Sequence, residues 1–140
     1  MAGFLDVGGE FRTFEHPQAF VTQPYGINGN REVVGTWSPG CPCAFPFLAV
    51  GHDFTPINVP GAQATTPIGI NGNGEIVGSF FDGSFRERGF LDVGNAFTQI
   101  DVPGAFFTEP RGINKDGTIV GITNNQQTGN SEGFLATPIK

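Results

Sequence analysis

The sequence predicts an all-β fold, in which three tandem units of about 43 residues each form four short strands and one extra C-terminal strand follows. Three observations lead to this prediction. A ten-residue pattern that begins Gly-Ile-Asn occurs at Gly26–Gly35, Gly69–Gly78 and Gly112–Gly121, at intervals of 43 residues. The 22 glycines and 11 prolines separate short apolar runs, as expected of turns between strands. No segment of helical length repeats its apolar residues at the helical period.

The chain is 140 residues long, which is close to the commonest size of a single domain. We therefore expect one repeat domain over residues 1–140. Its units span approximately 4–46, 47–89 and 90–133, and the extra strand spans 133–138. Four strands in a unit of this length are typical of a propeller blade, so the units are predicted to be propeller-blade-like.

The first two strands of each unit are predicted to form a hairpin. A Phe-Leu run is followed by Gly-Gly, Gly-His or Gly-Asn and then by a second apolar run, which is the usual signal of a two-residue hairpin loop. A fourth Phe-Leu run, Gly133–Thr137, accounts for the extra strand. The first strands begin at Gly3, Phe47 and Gly89, and the second strands at Phe11, Phe54 and Phe97.

The third strand of each unit carries the pattern Thr-x-Pro-x-Gly-Ile-Asn. Proline removes a ladder donor and is tolerated at an irregularity, and glycine permits a close approach of backbones. We therefore place this strand nearest the axis of the array. A turn rich in Asn and Gly leads into a fourth strand of β-branched residues. The loops that follow differ between units, so we expect them to be exposed and to carry binding differences; they span 38–43, 81–86 and 124–129.

Charge and hydropathy exclude two kinds of partner. The net charge is −6 and the lysines and arginines are scattered, so no basic stripe is present to bind nucleic acid. No apolar run is long enough to span a bilayer. The first residues lack the features of a signal peptide, so the chain is either cytoplasmic or exported with its leader removed.

The sequence predicts no metal site and no cofactor. Cys41 and Cys43 are separated only by Pro42, and a disulfide between them would close a tight ring, so a bridge between chains and free thiols are equally compatible with the sequence. Two cysteines alone fall short of a zinc site. The Asn-x-Asn/Asp-Gly turns supply too few carboxylates for calcium and are interpreted as hairpin turns.

No catalytic residue is predicted either. Glu15 and Asp101 are equivalent by repeat, and equivalent positions on different units are expected to lie far apart, which excludes a general acid–base pair. His16 and His52 have no nucleophile motif beside them and are expected at the surface. The protein is therefore predicted not to be an enzyme.

Ligand binding is predicted where the units vary towards large side chains. Trp37 and Phe80 occupy one such position, and Tyr25 and Arg111 occupy another. Aromatic faces beside polar loops suit sugar rings or a protein hot spot. The alternative is that Trp37 and Phe80 pack between units as ordinary buried aromatics.

The order Gly-Phe-Leu, Phe-Thr-x-Ile-Asp-Val-Pro-Gly-Ala and Gly-Ile-Asn-x-x-Gly-x-Ile-Val-Gly resembles the bacterial extracellular repeats named for a His-Ala-Phe triplet (HAF repeats). The resemblance covers nearly the whole chain and implies a secreted or cell-surface, propeller-like protein without a known catalytic residue. The triplet itself is replaced here, so no role of its histidine is carried over. Its counterparts are the residues at 45–47, 88–90 and 132–134.

Self-association follows from the number of units. Propellers typically have about 4 to 8 blades, so three units are few for a closed ring. In a ring or fibre of several chains, the first Phe-Leu strand of one chain and the extra strand of the next compete for one place, so we expect strand exchange. The residues predicted to take part are Phe4, Leu5, Val7, Phe134 and Leu135.

These inferences predict a non-enzymatic, extracellular structural or adhesive protein. Its partner is itself, and the expected assemblies are homo-oligomers or fibres. The alternative function is a carbohydrate-binding, lectin-like propeller that two chains form as a ring, with glycans as its ligands.

Overall fold

A computed structural model describes residues 1–138 of the chain. Within these residues there are thirteen strands and no helix, which confirms the all-β class. The strands form four antiparallel sheets, and each sheet is an open run of strands in chain order. The strands are β1 (Gly3–Val7), β2 (Glu10–Phe14), β3 (Val21–Ile27), β4 (Glu32–Ser38), β5 (Phe45–Val50), β6 (Asp53–Pro56), β7 (Ala64–Ile70), β8 (Ile76–Phe81), β9 (Glu87–Val93), β10 (Ala96–Ile100), β11 (Thr108–Ile113), β12 (Ile119–Asn124) and β13 (Ser131–Ala136).

The sheets group the strands in a different phase from the units of the sequence. Strands β1 and β2 form the hairpin sheet, β3–β6 the first sheet, β7–β10 the second sheet and β11–β13 the third sheet. Each of the last three sheets therefore begins at a Thr-x-Pro-x-Gly strand and not at a Phe-Leu strand. Consequently the hairpin sheet has only a Phe-Leu strand and its partner, and the third sheet has no fourth strand.

The strands that begin the first, second and third sheets lie side by side. A Cβ atom on Gly26 of β3 would lie 2.5 Å from the carbonyl oxygen of Ile68 in β7. A Cβ on Gly69 would lie 3.3 Å from the Cα of Gly112 in β11. Glycine at these positions allows the three backbones to approach, as the Gly-Ile-Asn pattern led us to expect.

We call β3, β7 and β11, with which these three sheets begin, the inner strands. Each of them has a β-bulge at its proline. The register of β7 against β8 shifts between Pro67 and Gly69, and the same shift occurs after the equivalent prolines of β3 and β11. Proline has no N–H to donate to the ladder, so a bulge is the place where a strand tolerates it. The strand opposite carries a glycine, because a Cβ on Gly78 would lie 2.1 Å from the carbonyl oxygen of Thr66.

The hydrophobic core lies between the sheets. The larger cluster joins the first sheet to the second, and fully burying one such apolar side chain contributes about 1.5–3 kcal/mol. A smaller cluster joins the hairpin sheet to the first sheet, with Phe14 and Phe54 packed against it. The larger cluster contains Val34, Ile57, Val59, Ile70, Ile76, Phe80 and Phe90, and the smaller one Val33, Phe47 and Ala49.

Candidate functional site

Asparagine side chains connect the turns that follow the inner strands. The side-chain oxygen of Asn71 accepts hydrogen bonds from the backbone N–H groups of Asn73 and Glu75, at 3.1 and 2.9 Å. Its Nδ2 donates to the Glu75 carboxylate at 2.7 Å and to the carbonyl oxygen of Asn114 at 2.9 Å. Asn71 is buried, and these bonds are partly shielded from water.

This asparagine ladder runs in one direction. Asn28 Nδ2 donates to the carbonyl oxygen of Asn71 at 3.0 Å, as Asn71 does to that of Asn114. The Asn114 side chain accepts the two N–H bonds of its own turn, at 3.0 Å each, but no further turn follows it in residues 1–138. Asn114 is exposed, so the ladder ends at a donor that faces solvent.

The last sheet leaves uncovered an apolar face that its equivalents bury. Val34 and Val77 are 0% exposed, because the next sheet packs on each of them, whereas Val120 at the same position of the third sheet is 48% exposed. The leucine paired with Val120, Leu135, is 68% exposed. We call Val120, Ile122 and Leu135 the C-terminal face.

The opposite end of the molecule has an uncovered face of its own. Ile70 of the second sheet is 7% exposed under the first sheet, but Ile27, its equivalent, is 50% exposed. Beside Ile27 lies a surface cavity of about 370 Å³. Phe4 and Pro24 also line this cavity, and we call five of its other lining residues the N-terminal face: Leu5, Phe14, Tyr25, Ile27 and Val33.

The residues that the sequence predicted for self-association are divided between the two ends. Phe4 is exposed and its ring lies 5.9 Å from that of Phe11, while Leu5 and Val7 are half-buried in the same hairpin sheet. Leu135 belongs to the C-terminal face. Phe134 is half-buried, and a Cβ on Gly121 would lie 2.6 Å from its ring.

The four residues that the sequence predicted for ligand binding do not form one site. Trp37 is half-buried and stacks on His16, with the ring centroids 3.9 Å apart. Phe80 is buried in the core between the first and second sheets. Tyr25 belongs to the N-terminal face, and Arg111 is an exposed residue of β11 whose guanidinium binds the Glu109 carboxylate at 2.7 Å.

His16, which we expected at the surface, is half-buried and packs against aromatic rings. Its ring packs between Trp37 and Phe54, at 3.9 and 4.9 Å between centroids, and burial lowers its pKa. Two of the equivalent positions hold Val59 and Val102, so His16 takes the place of an apolar packing residue. One face of Trp37 is therefore already covered by the protein itself.

An ion-pair network occupies the strand ends of the second sheet. The Arg88 guanidinium donates to Asp82 at 2.7 Å and to Asp101 at 3.2 Å. The hydrogen bond from Arg88 is the main reason that the pKa of Asp82 falls to about 2. Asp101 is thus engaged with the same cation as Asp82.

Glu87 is in the opposite electrostatic situation. Partial burial raises its pKa, the nearby Glu109 carboxylate raises it further, and a hydrogen bond from the Ser79 hydroxyl at 2.9 Å counteracts the rise. The ordinary cause of such a shift is desolvation at a packed interface, here that between the second and third sheets.

Three exposed phenylalanines form a cluster that the sequence did not single out, although the loop at 81–86 was expected to be exposed. Phe81, Phe85 and Phe106 are all exposed and surround a groove of about 530 Å³, together with Arg86 and Gln126. Phe85 has a φ of 58°, a conformation that is rare for bulky residues. The turn that begins at Asp82 has the same hydrogen bonds as the asparagine turns. Its sequence is also similar to theirs, with Asp in place of Asn, and this was the signal available in the sequence.

Cys41 and Cys43 are joined to each other within the chain. The described part of the chain contains no helix that could span a membrane. Residues 1–138 also bring together no group of three or more His, Cys, Asp or Glu side chains that could hold a metal ion.

Fold and site together define an all-β protein of open antiparallel sheets with an uncovered apolar face at each end. Comparisons of the chain with protein-family models, with curated proteins and with solved structures gave no match. The fold and the site are therefore the basis for assigning a function.

Proposed function

We propose that the protein is a non-enzymatic structural or adhesive protein that self-associates head to tail, with the C-terminal face of one copy on the N-terminal face of the next. The observation that supports this is the exposure of Val120 and Ile27. Within the chain, the residues equivalent to these two are buried where one sheet packs on the next. Repetition of an interface that the molecule already contains is the simplest way to cover both faces.

In this proposal each sheet is a propeller-like blade and the chain is an incomplete array. Two chains would supply six blades for a ring, and a rotation that does not close would give a fibre. The resemblance to HAF repeats supports an extracellular or cell-surface location. The bond between Cys41 and Cys43 agrees with it, since disulfides persist in oxidising compartments.

The proposal is tested by sedimentation velocity over a range of protein concentrations, with electron microscopy of the resulting particles. We expect concentration-dependent association into rings or fibres. Val120→Asp places a charge in the C-terminal face and is expected to leave only monomers. Val93→Asp is the matched control, because Val93 is 47% exposed but lies at the end of β9, outside both faces.

Two results would contradict the proposal. The first is a native protein that stays monomeric at every concentration. The second is association that Val120→Asp leaves intact, because the contact would then not involve the C-terminal face. An equal loss in both variants would indicate a general effect of added charge and would also count against it.

The second candidate function is carbohydrate binding, and the groove at Phe81, Phe85 and Phe106 favours it. Exposed aromatic rings next to Arg86 and Gln126 combine stacking surfaces with hydrogen-bond donors, as sugar recognition requires. A glycan array probed with the native protein and with Phe85→Ala tests it. Binding that Phe85→Ala leaves unchanged, or no binding at all, would exclude this groove.

A further inference from the structure

The hairpin sheet sits on the first sheet as the outer half of a complete sheet would. A Cβ on Gly3 of β1 would lie 3.1 Å from Pro24, just as one on Gly89 of β9 would lie 2.7 Å from Pro110. After each hairpin the chain is fixed in the same way. The N–H of His16 donates to the Thr22 hydroxyl at 3.1 Å, and the N–H of Val102 to the Thr108 hydroxyl at 3.0 Å.

What the hairpin sheet lacks is the inner half, the two strands that correspond to β7 and β8. The cavity of the N-terminal face lies there. In the larger core cluster, Val34 and Ile57 pack with Ile70 and Ile76 of the second sheet, and Leu48 packs against this cluster. The equivalent residues Leu5, Phe14, Ile27 and Val33 line the cavity, but no equivalent of Val34 fills it.

The third sheet holds the missing strands. Its first two strands, β11 and β12, correspond to β7 and β8, and Val120 is the equivalent of Val34. In the second sheet, β8 pairs with β9, and Val77 lies opposite Leu91. In the third sheet, β12 instead pairs with β13, and Val120 lies opposite Leu135.

Strand β1 is a closer match to β9 than β13 is. The residues of β1, Gly3–Val7, repeat the sequence Gly-Phe-Leu-Asp-Val of 89–93 without a change, whereas β13 and the residue after it read Gly-Phe-Leu-Ala-Thr. The aspartate closes the hairpin: the Asp6 side chain accepts from the N–H of Gly9 at 2.9 Å, and Asp92 from that of Asn95 at 2.8 Å. Ala136 stands at this position in β13.

We propose that β13 is a displaceable strand, and that the β1–β2 hairpin of one copy takes its place beside β12 of the next copy. The inference rests on the proposed head-to-tail association and specifies how it occurs. The product is a four-stranded sheet, β11 and β12 from one chain with β1 and β2 from the other, and Val120 fills the cavity between Leu5 and Ile27.

The direction of this exchange follows from the pairing. The incoming strand keeps its own partner, β2, whereas β13 has no second partner in the third sheet. Four of the six β13 residues that pair with β12 have counterparts within β1, so most of the ladder bonds lost from β13 are replaced, and burial of Val120 against the N-terminal face favours the exchange. While β13 is paired, it blocks assembly.

Cysteine pairs introduced into the 140-residue chain, with Cys41→Ser and Cys43→Ser, distinguish the β12–β13 pairing from the exchanged β12–β1 pairing. Directly opposed Cα atoms in an antiparallel pair are about 4.5–5.5 Å apart, within the range of a disulfide. The exchanged register places Val120 opposite Leu5 of another copy. We therefore expect Val120→Cys with Leu5→Cys to give covalent dimers and larger species under mild oxidation, as seen on non-reducing gels.

The second pair fixes β13 in place. Val120→Cys with Leu135→Cys is expected to close within one chain, to abolish assembly when oxidised, and to restore it when a reductant is added. This reversal also shows that the variant is folded. Val120→Cys with Val93→Cys is the control that is expected to give neither product.

The outcomes test strand exchange and head-to-tail association separately and together. Assembly that continues in the oxidised Val120–Leu135 pair, without linkage of Val120 to Leu5, overturns strand exchange but leaves head-to-tail association standing. Absence of assembly in the native chain and in both reduced variants overturns both proposals. Cross-links of Val120 to Leu5 between copies, with assembly blocked by the closed Val120–Leu135 bond, support both.

Discussion

The side chain of Asn71 is buried and makes four hydrogen bonds, two within its own turn as acceptor and two as donor. Aspartate at this position would keep the acceptor and lose both donors. It would also place a second carboxylate beside Glu75. Each lost hydrogen bond contributes about 0.5–1.5 kcal/mol, so we expect Asn71→Asp to lower the free energy of unfolding by about 1–3 kcal/mol.

Asn114→Asp is the matched comparison. Asn114 closes its turn with the same two acceptor bonds, but its Nδ2 has no acceptor within the described residues. We therefore expect a cost well below that of Asn71→Asp. The measurement is urea unfolding at a protein concentration at which both variants are monomeric. Equal losses would show that the ladder bonds contribute nothing beyond the turns.

Glu87 gives a pH-dependent prediction. Burial, and then the neighbouring Glu109, raise its pKa in the folded state, while Arg111 counteracts the rise. The folded protein thus binds this proton more tightly than the unfolded chain does, and the associated stability is present below the ordinary glutamate pKa and lost as the pH rises through the folded value.

Glu87→Gln removes this titration and still accepts the hydrogen bond of Ser79. We expect the Tm of the variant to exceed that of the native chain by a few degrees at pH 7, and the difference to vanish at about pH 4 and below. Differential scanning calorimetry across this range measures it. Glu10→Gln, at an exposed position of β2, is expected to change nothing, and a Tm difference that grows at low pH would refute the assignment.

The strand pair β7–β8 depends on a glycine at its bulge. A methyl group on Gly78 would lie 2.1 Å from the Thr66 carbonyl oxygen and 2.8 Å from the Cα of Pro67, and both are backbone atoms that cannot move aside cheaply. We expect Gly78→Ala to lower the free energy of unfolding by about 3 kcal/mol or more, as overpacking of a rigid site does.

Gly72→Ala is the control for this prediction, because a methyl group there meets no atom within 4 Å and the backbone is not left-handed. Its expected effect is within about 0.5 kcal/mol of zero. Chemical denaturation of both variants measures the difference. A small cost for Gly78→Ala would mean that the bulge can relax.

Individual strands could be predicted from the sequence because their signals are local. The Gly-Asn pairs, the prolines and the β-branched runs each act on a few neighbouring residues, and strands form at all the predicted places. The grouping of strands into sheets was not predictable in the same way. A repeated pattern has no natural starting point, so its period of 43 residues is compatible with any phase.

The candidate site was only partly predictable for a related reason. The competition between the Phe4 and Phe134 strands follows from the repeat, and it identified both ends of the molecule. The environment of Trp37 did not follow, because it depends on His16 from the connection that follows β2, in another sheet. Phe85 was missed because its turn contains a phenylalanine where Gly74 stands in the equivalent turn.

At the scale of the whole molecule, the ends differ from the middle in side chains as well as in exposure. Asn30 donates through Nδ2 to the carbonyl oxygen of Gly72 at 3.2 Å, and Asn73 does the same to that of Lys115 at 3.3 Å. The third equivalent is Asp116, which has no N–H to donate. In the proposed head-to-tail contact its carboxylate would face the Gly29 carbonyl oxygen of the next copy, and this pair of acceptors would oppose association.

Asp116→Asn should therefore strengthen self-association. The substitution replaces a carboxylate, which would face another acceptor, by an amide that can donate a hydrogen bond. One hydrogen bond of about 0.5–1.5 kcal/mol corresponds to a Kd lower by roughly 2- to 12-fold. Asp53→Asn makes the same change of charge at an exposed position of β6, and we expect it to leave the Kd within twofold of the native value. Sedimentation equilibrium at pH 7 compares the three proteins. Equal tightening by both substitutions would assign the effect to net charge, and no tightening by Asp116→Asn would mean that the asparagine turns do not meet across the contact.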